Sequence, residues 1–351
     1  MPTSRRSFLT SLVAAPFAVE SARVLASTNS FAAETVVSSA KSDARALKFR
    51  DGKFKIVQFT DLHCAFTEER SKLAEETLEV VRKILETEKP DLAILTGDVI
   101  VQNPTSLWGG IVEAWSRIAA PFADAKIPFA CCLGNHDHER PESAKELLAA
   151  MQESEWNLTR DDNPGLPGAG NCSLPIYGAD GSVKRRLWLF DSHSYPFKKG
   201  LSTYDWIKNN QIEWYRAASK FFAAKENGGA PVPGLAFFHM PLPEYWQIHK
   251  TDAIVGAASE PVCSPELNSG LFTAFVERGD VEGVFVGHDH TNDYIGVYKG
   301  IALAYGRKTG CDSYGDLPRG GRVIELTEEP GFSTYVSALD GVSLNWKFPQ
   351  E

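Results

Sequence analysis

Five short blocks hold most of the histidines in this sequence, together with carboxylate and amide side chains that could grip a metal ion. They are Asp61-Leu62-His63, Gly97-Asp98, Gly134-Asn135-His136-Asp137, His239 and Gly287-His288-Asp289-His290, and they contain five of the eight histidines. Carboxylate, amide and imidazole donors without a thiolate suit hard or borderline divalent ions. A pair of such ions can activate water and neutralise phosphoryl oxygens, which is the chemistry of phosphate-ester cleavage.

An apolar run stands just upstream of each block: Phe54–Phe59, Leu92–Leu95, Ile127–Leu133, Leu235–Phe238 and Val284–Val286. Such runs read as buried strands, and strand ends converge at one edge of a sheet, so residues far apart in sequence can meet there. Helical spacing predicts helices over Ser71–Glu88, Ser106–Ala125, Pro141 to about Glu153, Trp206–Lys225 and about Ser269–Glu277. Further strands are predicted at Cys172–Ile176, Arg186–Phe190, Tyr294–Tyr298, Ile301–Tyr305, Arg322–Leu326 and Thr334–Ala338. Half the pattern is βαβ and half is hairpin, which two packed sheets flanked by helices accommodate. There is no internal repeat, and one catalytic domain over 51–351 is expected.

The apolar share of 43% and charged share of 23% are those of a folded globular protein. After the N-terminus no apolar run approaches the roughly 18 residues needed to span a bilayer. Ser4-Arg5-Arg6-Ser7-Phe8-Leu9 matches a twin-arginine export signal, followed by an apolar stretch from Leu12 to Val19 and small residues near Ala26 and Ala32. The expected organisation is a signal peptide over 1–32, a linker over 33–50, passage through the twin-arginine export machinery, and a periplasmic or extracellular mature protein without a transmembrane anchor. Loss of the signal removes three arginines and one glutamate, taking the formal charge from −9 to about −11. So acidic a body argues against nucleic-acid binding, which needs a basic footprint. The six cysteines show no Cys-x-x-Cys spacing, which argues against a thiolate zinc site. Cys131 and Cys132 are expected as buried thiols, and a Cys263–Cys311 bridge stays open.

The five blocks, in this order, resemble the calcineurin-like metallophosphoesterase superfamily over about residues 54–310. Gly134–His138, Phe237–Tyr245 and Gly287–Asp293 are most similar to its purple-acid-phosphatase-like branch. The match departs at Val101, where true purple acid phosphatases carry a tyrosine ligand, and at His63, where they carry glycine, which argues against a tyrosine-ligated ferric centre. The resemblance implies a four-layer αββα sandwich of two mixed β-sheets flanked by helices. It implies Asp61, His63, Asp98 and His290 on one metal, and Asp98, Asn135, His239 and His288 on the other. Two divalent ions (Fe, Mn or Zn) would then be the cofactors, with Asp98 bridging them through its two oxygens. His136 resembles the family's catalytic histidine, and Asp137 is placed to orient it.

Outside the blocks, His193, Arg307 and Lys308 follow strands and are candidates to contact substrate, with Asp312 beside them. A cationic pair there would hold a phosphate dianion, although a solvated turn explains it equally well. His138 and His249 read as surface or supporting residues, and Asp289 as a non-ligand between two ligands. The expected activity is hydrolysis of a small phosphate monoester by a hydroxide shared between the metals. A phosphodiesterase or nucleotidase of the same fold, and a non-catalytic metal-binding envelope module, are the alternatives.

Overall fold

The computed structural model describes residues 45–101, 109–140 and 142–350. The expected signal peptide, the linker up to residue 44, the first residues of the helix expected from Ser106, and Pro141 lie outside the described residues. Strand β1 (Lys53–Phe59), buried along most of its length, reveals the architecture. Phe54 and Ile56 enter one apolar cluster while Val57 and Phe59 enter another. The same split recurs in β2 (Leu92–Thr96), where Leu92 and Ile94 face one way and Ala93 and Leu95 the other, and in β3 (Phe129–Cys132). A strand buried on both faces needs a layer on each side.

On one side those layers are helices α1 (Ser71–Glu88), α2 (Gly110–Ala125) and α3 (Ser143–Gln152), which pack Leu78, Ile118 and Leu147 against Val57, Leu95 and Phe129. Helix α1 stops where Lys89 turns left-handed (φ 45°) and its N–H caps Leu85 O, just before Pro90. On the other side lies a second sheet: β4 (Cys172–Tyr177), β5 (Val183–Leu189), β6 (Gly234–Phe237), β7 (Val281–Val286), β8 (Ile295–Tyr298) and β9 (Ile301–Tyr305). Its Leu187, Leu189, Leu235, Phe237 and Phe285 meet Ile56, Ile94 and Cys132 in the central core. Its outer face carries α4 (Asn209–Glu226) and α5 (Leu271–Arg278) through Trp214, Phe222, Phe272 and Phe275.

The first sheet is completed by β10 (Gly320–Thr327), β11 (Phe332–Ala338) and β12 (Gly341–Phe348), in the order β12-β11-β10-β1-β2-β3; the second runs β4-β5-β6-β7-β9-β8. Strands β1 to β3 pair in parallel, as do β5, β6, β7 and β9, while the outer strands are antiparallel. Both sheets are therefore mixed, and the expected four-layer αββα sandwich is the fold. Two buried arginines also tie the sheets together. Arg185 of β5 donates to Thr327 O and Gly331 O, and Arg322 of β10 donates to Tyr305 O.

Two sequence expectations shift, and one left open is answered. Residues 45–50, counted with the linker, belong to the fold: Leu47 and Phe49 are buried in the central core, and Phe49 N–H donates to Tyr177 O. Helix α4 begins at Asn209 instead of Trp206, because the Gln211 side chain accepts the Lys208 N–H and fixes the first turn there. All six cysteines are free, Cys263 and Cys311 included. Among the described residues no helix is long and apolar enough to cross a membrane.

Phe285 is fully buried between the sheets, with ring centroids 5.3 Å from Phe237 and 5.6 Å from Phe332. Phe285→Ala is expected to cost about 3–5 kcal/mol in urea-unfolding free energy. A loss under about 1 kcal/mol would mean that the two sheets do not close on this ring.

Candidate metal centre

Each ligand block lies just past a strand, and the backbone there is bent hard. Asp61, His63, Asp98 and His288 all have positive φ, between 49° and 78°. Non-glycine residues in that region are uncommon and cost of order 1–3 kcal/mol each, persisting where the surroundings enforce them. The enforcement is visible. Asp61 N–H donates to Gly97 O (3.1 Å), His63 N–H to Asp98 O (2.9 Å) and Cys64 N–H to Val99 O (3.0 Å), so the loops after β1 and β2 continue to pair. Gly287 N–H donates to His239 O (3.0 Å), joining the loops after β6 and β7. Close approach also demands glycine. A Cβ on Gly134 would lie 2.3 Å from Asp98 Oδ1, and one on Gly287 would lie 1.9 Å from Thr60 Oγ1.

The first sheet supplies Asp61, His63, Asp98 and Asn135, and the second supplies His239, His288 and His290. They meet as two groups. In one, His63 Nε2 lies 3.2 Å from His290 Nε2, 3.8 Å from Asp61 Oδ1 and 3.6 Å from Asp98 Oδ2, and His290 Nε2 lies 3.3 Å from Asp61 Oδ1. In the other, His239 Nε2 lies 3.1 Å from Asp98 Oδ2, 3.2 Å from Asn135 Oδ1 and 3.2 Å from His288 Nδ1. Asp98 belongs to both. All seven residues are buried, and they converge as two groups of donors that share Asp98.

The chemistry of these donors fits divalent ions. His239 Nδ1 lies 2.8 Å from Thr96 O, a pure acceptor, so Nδ1 carries the hydrogen and Nε2 is left as a lone pair. That lone pair faces a carboxylate oxygen, an amide oxygen and another imidazole nitrogen. Converging acceptors need positive charge among them. Burial alone would lower the His239 pKa, but the Asp98 carboxylate outweighs it and raises it to about 10. Burial and the adjacent His239 push His288 down to about 3. Burial would raise the pKa of Asp61, but the imidazoles of His290 and His63 hold it well below the usual carboxylate range. A divalent ion in each group satisfies the same demand through every donor at once.

His136 stands at the rim, half-buried, with its ring 5.0 Å from that of His63. Its backbone N–H donates to Asp98 Oδ1 (2.8 Å), and its Nδ1 lies 2.5 Å from Glu139 Oε1. Here the sequence reading is corrected. The carboxylate on the His136 ring nitrogen is Glu139, while Asp137 is buried and accepts the N–H groups of Val99 (3.1 Å), Ile100 (3.0 Å) and Gly134 (2.9 Å). Asp137 thus clamps the Asp98 loop to the Asn135 loop.

The expected substrate cations are also corrected. Arg307 is buried, with Nε 2.9 Å from Asp293 Oδ2 and Nη1 2.9 Å from Pro318 O. Lys308 is buried, and its Nζ donates to the carbonyls of Ser313 (3.3 Å), Tyr314 and Gly315 (2.9 Å). Asp312 pairs with Arg70. His193 is buried on Gln211 Oε1 (2.9 Å), one shell behind His138, whose Nε2 meets Asp191 Oδ1 at 3.0 Å. Asp289 is buried and accepts from Tyr305 Oη (2.6 Å) and the Cys263 N–H (3.1 Å). Sequence reasoning missed Glu139 and three tyrosines, 195, 204 and 314, that stand around the ligands.

The model of the calcineurin-like phosphoesterase family matches residues 54–292, which contain every one of the seven ligands. The chain belongs to that family. It is 32% identical to probable inactive purple acid phosphatase 14 of Arabidopsis thaliana, over 86% of this chain and 82% of that one. It is also 32% identical to the phosphatase DCR2 of Saccharomyces cerevisiae, over 70% of this chain and 45% of the yeast protein. A solved dimetal phosphatase from Danio rerio shares the fold, with a TM-score of 0.56 and 13% identity over 84% of this chain and 98% of that one. Calcineurin-like phosphoesterases as a family are hydrolases, and the His/Asp clusters here are suited to a divalent metal centre.

Gly134→Ala should push Asp98 out of place while leaving the sheets intact. Metal analysis of the purified variant is expected to give about one equivalent or less where the parent gives about two. Parental metal content in the variant would contradict the packing described for Gly134.

Proposed function

We propose that this chain is an exported phosphoesterase that hydrolyses small phosphate monoesters with two divalent ions. The observation that carries the reading is Asp98, a buried carboxylate common to two groups of donors. Asp61, His63, Asp98, Asn135, His239, His288 and His290 would hold two ions, which when bound would supply an activated water and offset phosphoryl charge. Donors of oxygen and imidazole nitrogen suit Fe, Mn or Zn. Export by the twin-arginine machinery to the periplasm or beyond rests on Ser4-Arg5-Arg6-Ser7-Phe8-Leu9 alone. The acidic charge of −9 supports small esters over nucleic acid.

The protein's own part in the reaction falls to His136. With Nδ1 engaged by Glu139, Nε2 is the nitrogen that delivers a proton to the departing oxygen. Burial lowers its pKa, but the Glu139 hydrogen bond and the Asp98 charge overcome this, so the ring holds its proton more firmly than a free histidine. Glu139 therefore acts as a positioning residue, fixing ring orientation and charge.

A second reading, a metal-binding module without turnover, is favoured by the word "inactive" in the names of the plant relatives. The full ligand set together with His136 speaks for the enzyme.

Asp98→Asn is expected to remove most bound metal and to cut hydrolysis of p-nitrophenyl phosphate by at least about 10³-fold. A variant that cleaves this ester at the parental rate would contradict the reading. His136→Gln should keep its metals and lose roughly 10²–10⁴-fold in kcat, with KM little changed. A His136→Gln variant with parental kcat would return His136 to a structural role.

A further inference from the structure

Arg307 and Lys308 are engaged by Asp293 and by backbone carbonyls, and aromatic rings stand against His288 and His290 instead. On one side the Tyr204 ring meets His288 edge-on at 4.5 Å, and Tyr195 stacks on Tyr204 at 5.9 Å and 24°. On the other side Tyr314 stacks on His290 at 4.2 Å and 27°. His288 and His290 belong to different donor groups, so each group carries an aromatic ring against one of its histidines. Tyr195 and Tyr314 are each 58% exposed, which is far too open for core packing.

Both rings are nevertheless held. Ser194 Oγ donates to Asn135 O (3.0 Å) and Asp205 N–H to Ser194 O (3.0 Å), pinching the base of the Tyr195–Tyr204 loop against the ligand loop. Glu266 accepts from Ser202 Oγ (2.5 Å) and from the Thr203 N–H (2.6 Å). Tyr314 Oη donates to Glu260 Oε2 (2.7 Å), and Lys308 Nζ holds the carbonyls of residues 313–315 from beneath. The buried lysine thus braces an aromatic wall. Exposed, immobilised aromatic faces on a polar centre favour a flat apolar ligand group, because little side-chain freedom is lost when they stack.

We propose that Tyr195 and Tyr314 form the two walls of a slot across the metal centre that selects aryl phosphate esters, in which a flat ring is carried on the ester oxygen. The inference rests on the phosphoesterase reading above and names its substrate class. A bulky saturated group of equal apolarity fits such a slot poorly, and a small alkyl group leaves both walls wet.

Titration calorimetry of the metal-loaded full chain with phenyl-, cyclohexyl- and methylphosphonate tests this without depending on turnover or on leaving-group ability. Phenylphosphonate should bind roughly tenfold more tightly than either of the others. Tyr195→Leu and Tyr314→Leu should each shrink that preference to about threefold or less, and together abolish it. Tyr314→Phe, which keeps the ring, should retain most of it. Thermal melting checks that each variant is folded, and Tyr195→Leu carries the test if Tyr314→Leu does not fold. Equal affinity of the parent for all three phosphonates overturns the slot alone, as does a phenyl preference that survives both leucine substitutions. No binding of any phosphonate overturns the phosphoesterase reading and the slot with it. A short peptide bearing phosphonomethyl-phenylalanine distinguishes the source of the ring. Tighter binding than phenylphosphonate supports the slot with a protein side chain as ligand, and equal or weaker binding supports it with a small aryl ester.

Discussion

The position of one buried carboxylate decides what this fold can do. Asp98 ends a strand of the first sheet, yet its Oδ2 lies 3.1 Å from a histidine of the second sheet and 3.6 Å from a histidine of its own. Its Oδ1 accepts the backbone N–H of His136, the residue assigned the proton. Removing that charge would take from His239 its adjacent carboxylate and leave His63 with Asp61 alone. A buried anion is tolerated only when paired and hydrogen-bonded, and here the pairing partners are the other ligands. Fold closure and ligand assembly are therefore one event, since His239 reaches Asp98 only when the sheets stack on Phe237 and Phe285.

Holding four ligand residues at positive φ works against the chain's own preferences. The sandwich supplies the opposing force through features that have no chemical role. Asp137 gathers three backbone N–H groups of the neighbouring loops. Gln58 donates across the sheets to Val286 O (3.0 Å) and within its own sheet to Thr96 Oγ1 (2.9 Å), just beneath the ligands. Local strain at the site and packing behind it are two sides of the same arrangement: a site built on loops alone would relax to ordinary dihedral angles.

The clustered donor residues were legible in the sequence because their signal is local: an apolar run, then glycine or a polar residue, then Asp, Asn or His. The αββα layering followed from the mixture of βαβ and hairpin patterns together with the family resemblance. What failed depended on partners distant in sequence or on turn geometry. Asp137 is adjacent to His136 and looked like its orienting group, but the short 3₁₀ turn over His136–His138 carries residue i+3, Glu139, onto the ring. Arg307 and Lys308 sit where cations for a phosphate could stand, yet Asp293 and the carbonyls of 313–315 claim them, which no spacing foretells. β12 was missed because only Trp346 along it is buried, leaving little alternation to read. The tyrosines lie in irregular loops, where exposure and stacking have no sequence period.

The most direct measurement is the position of the ions themselves. Anomalous diffraction from crystals of the manganese-loaded protein should give two peaks about 3.5–4 Å apart, both within bonding distance of Asp98. A single peak, or two peaks far apart with Asp98 touching only one, would contradict the shared-carboxylate centre and the mechanism built on it.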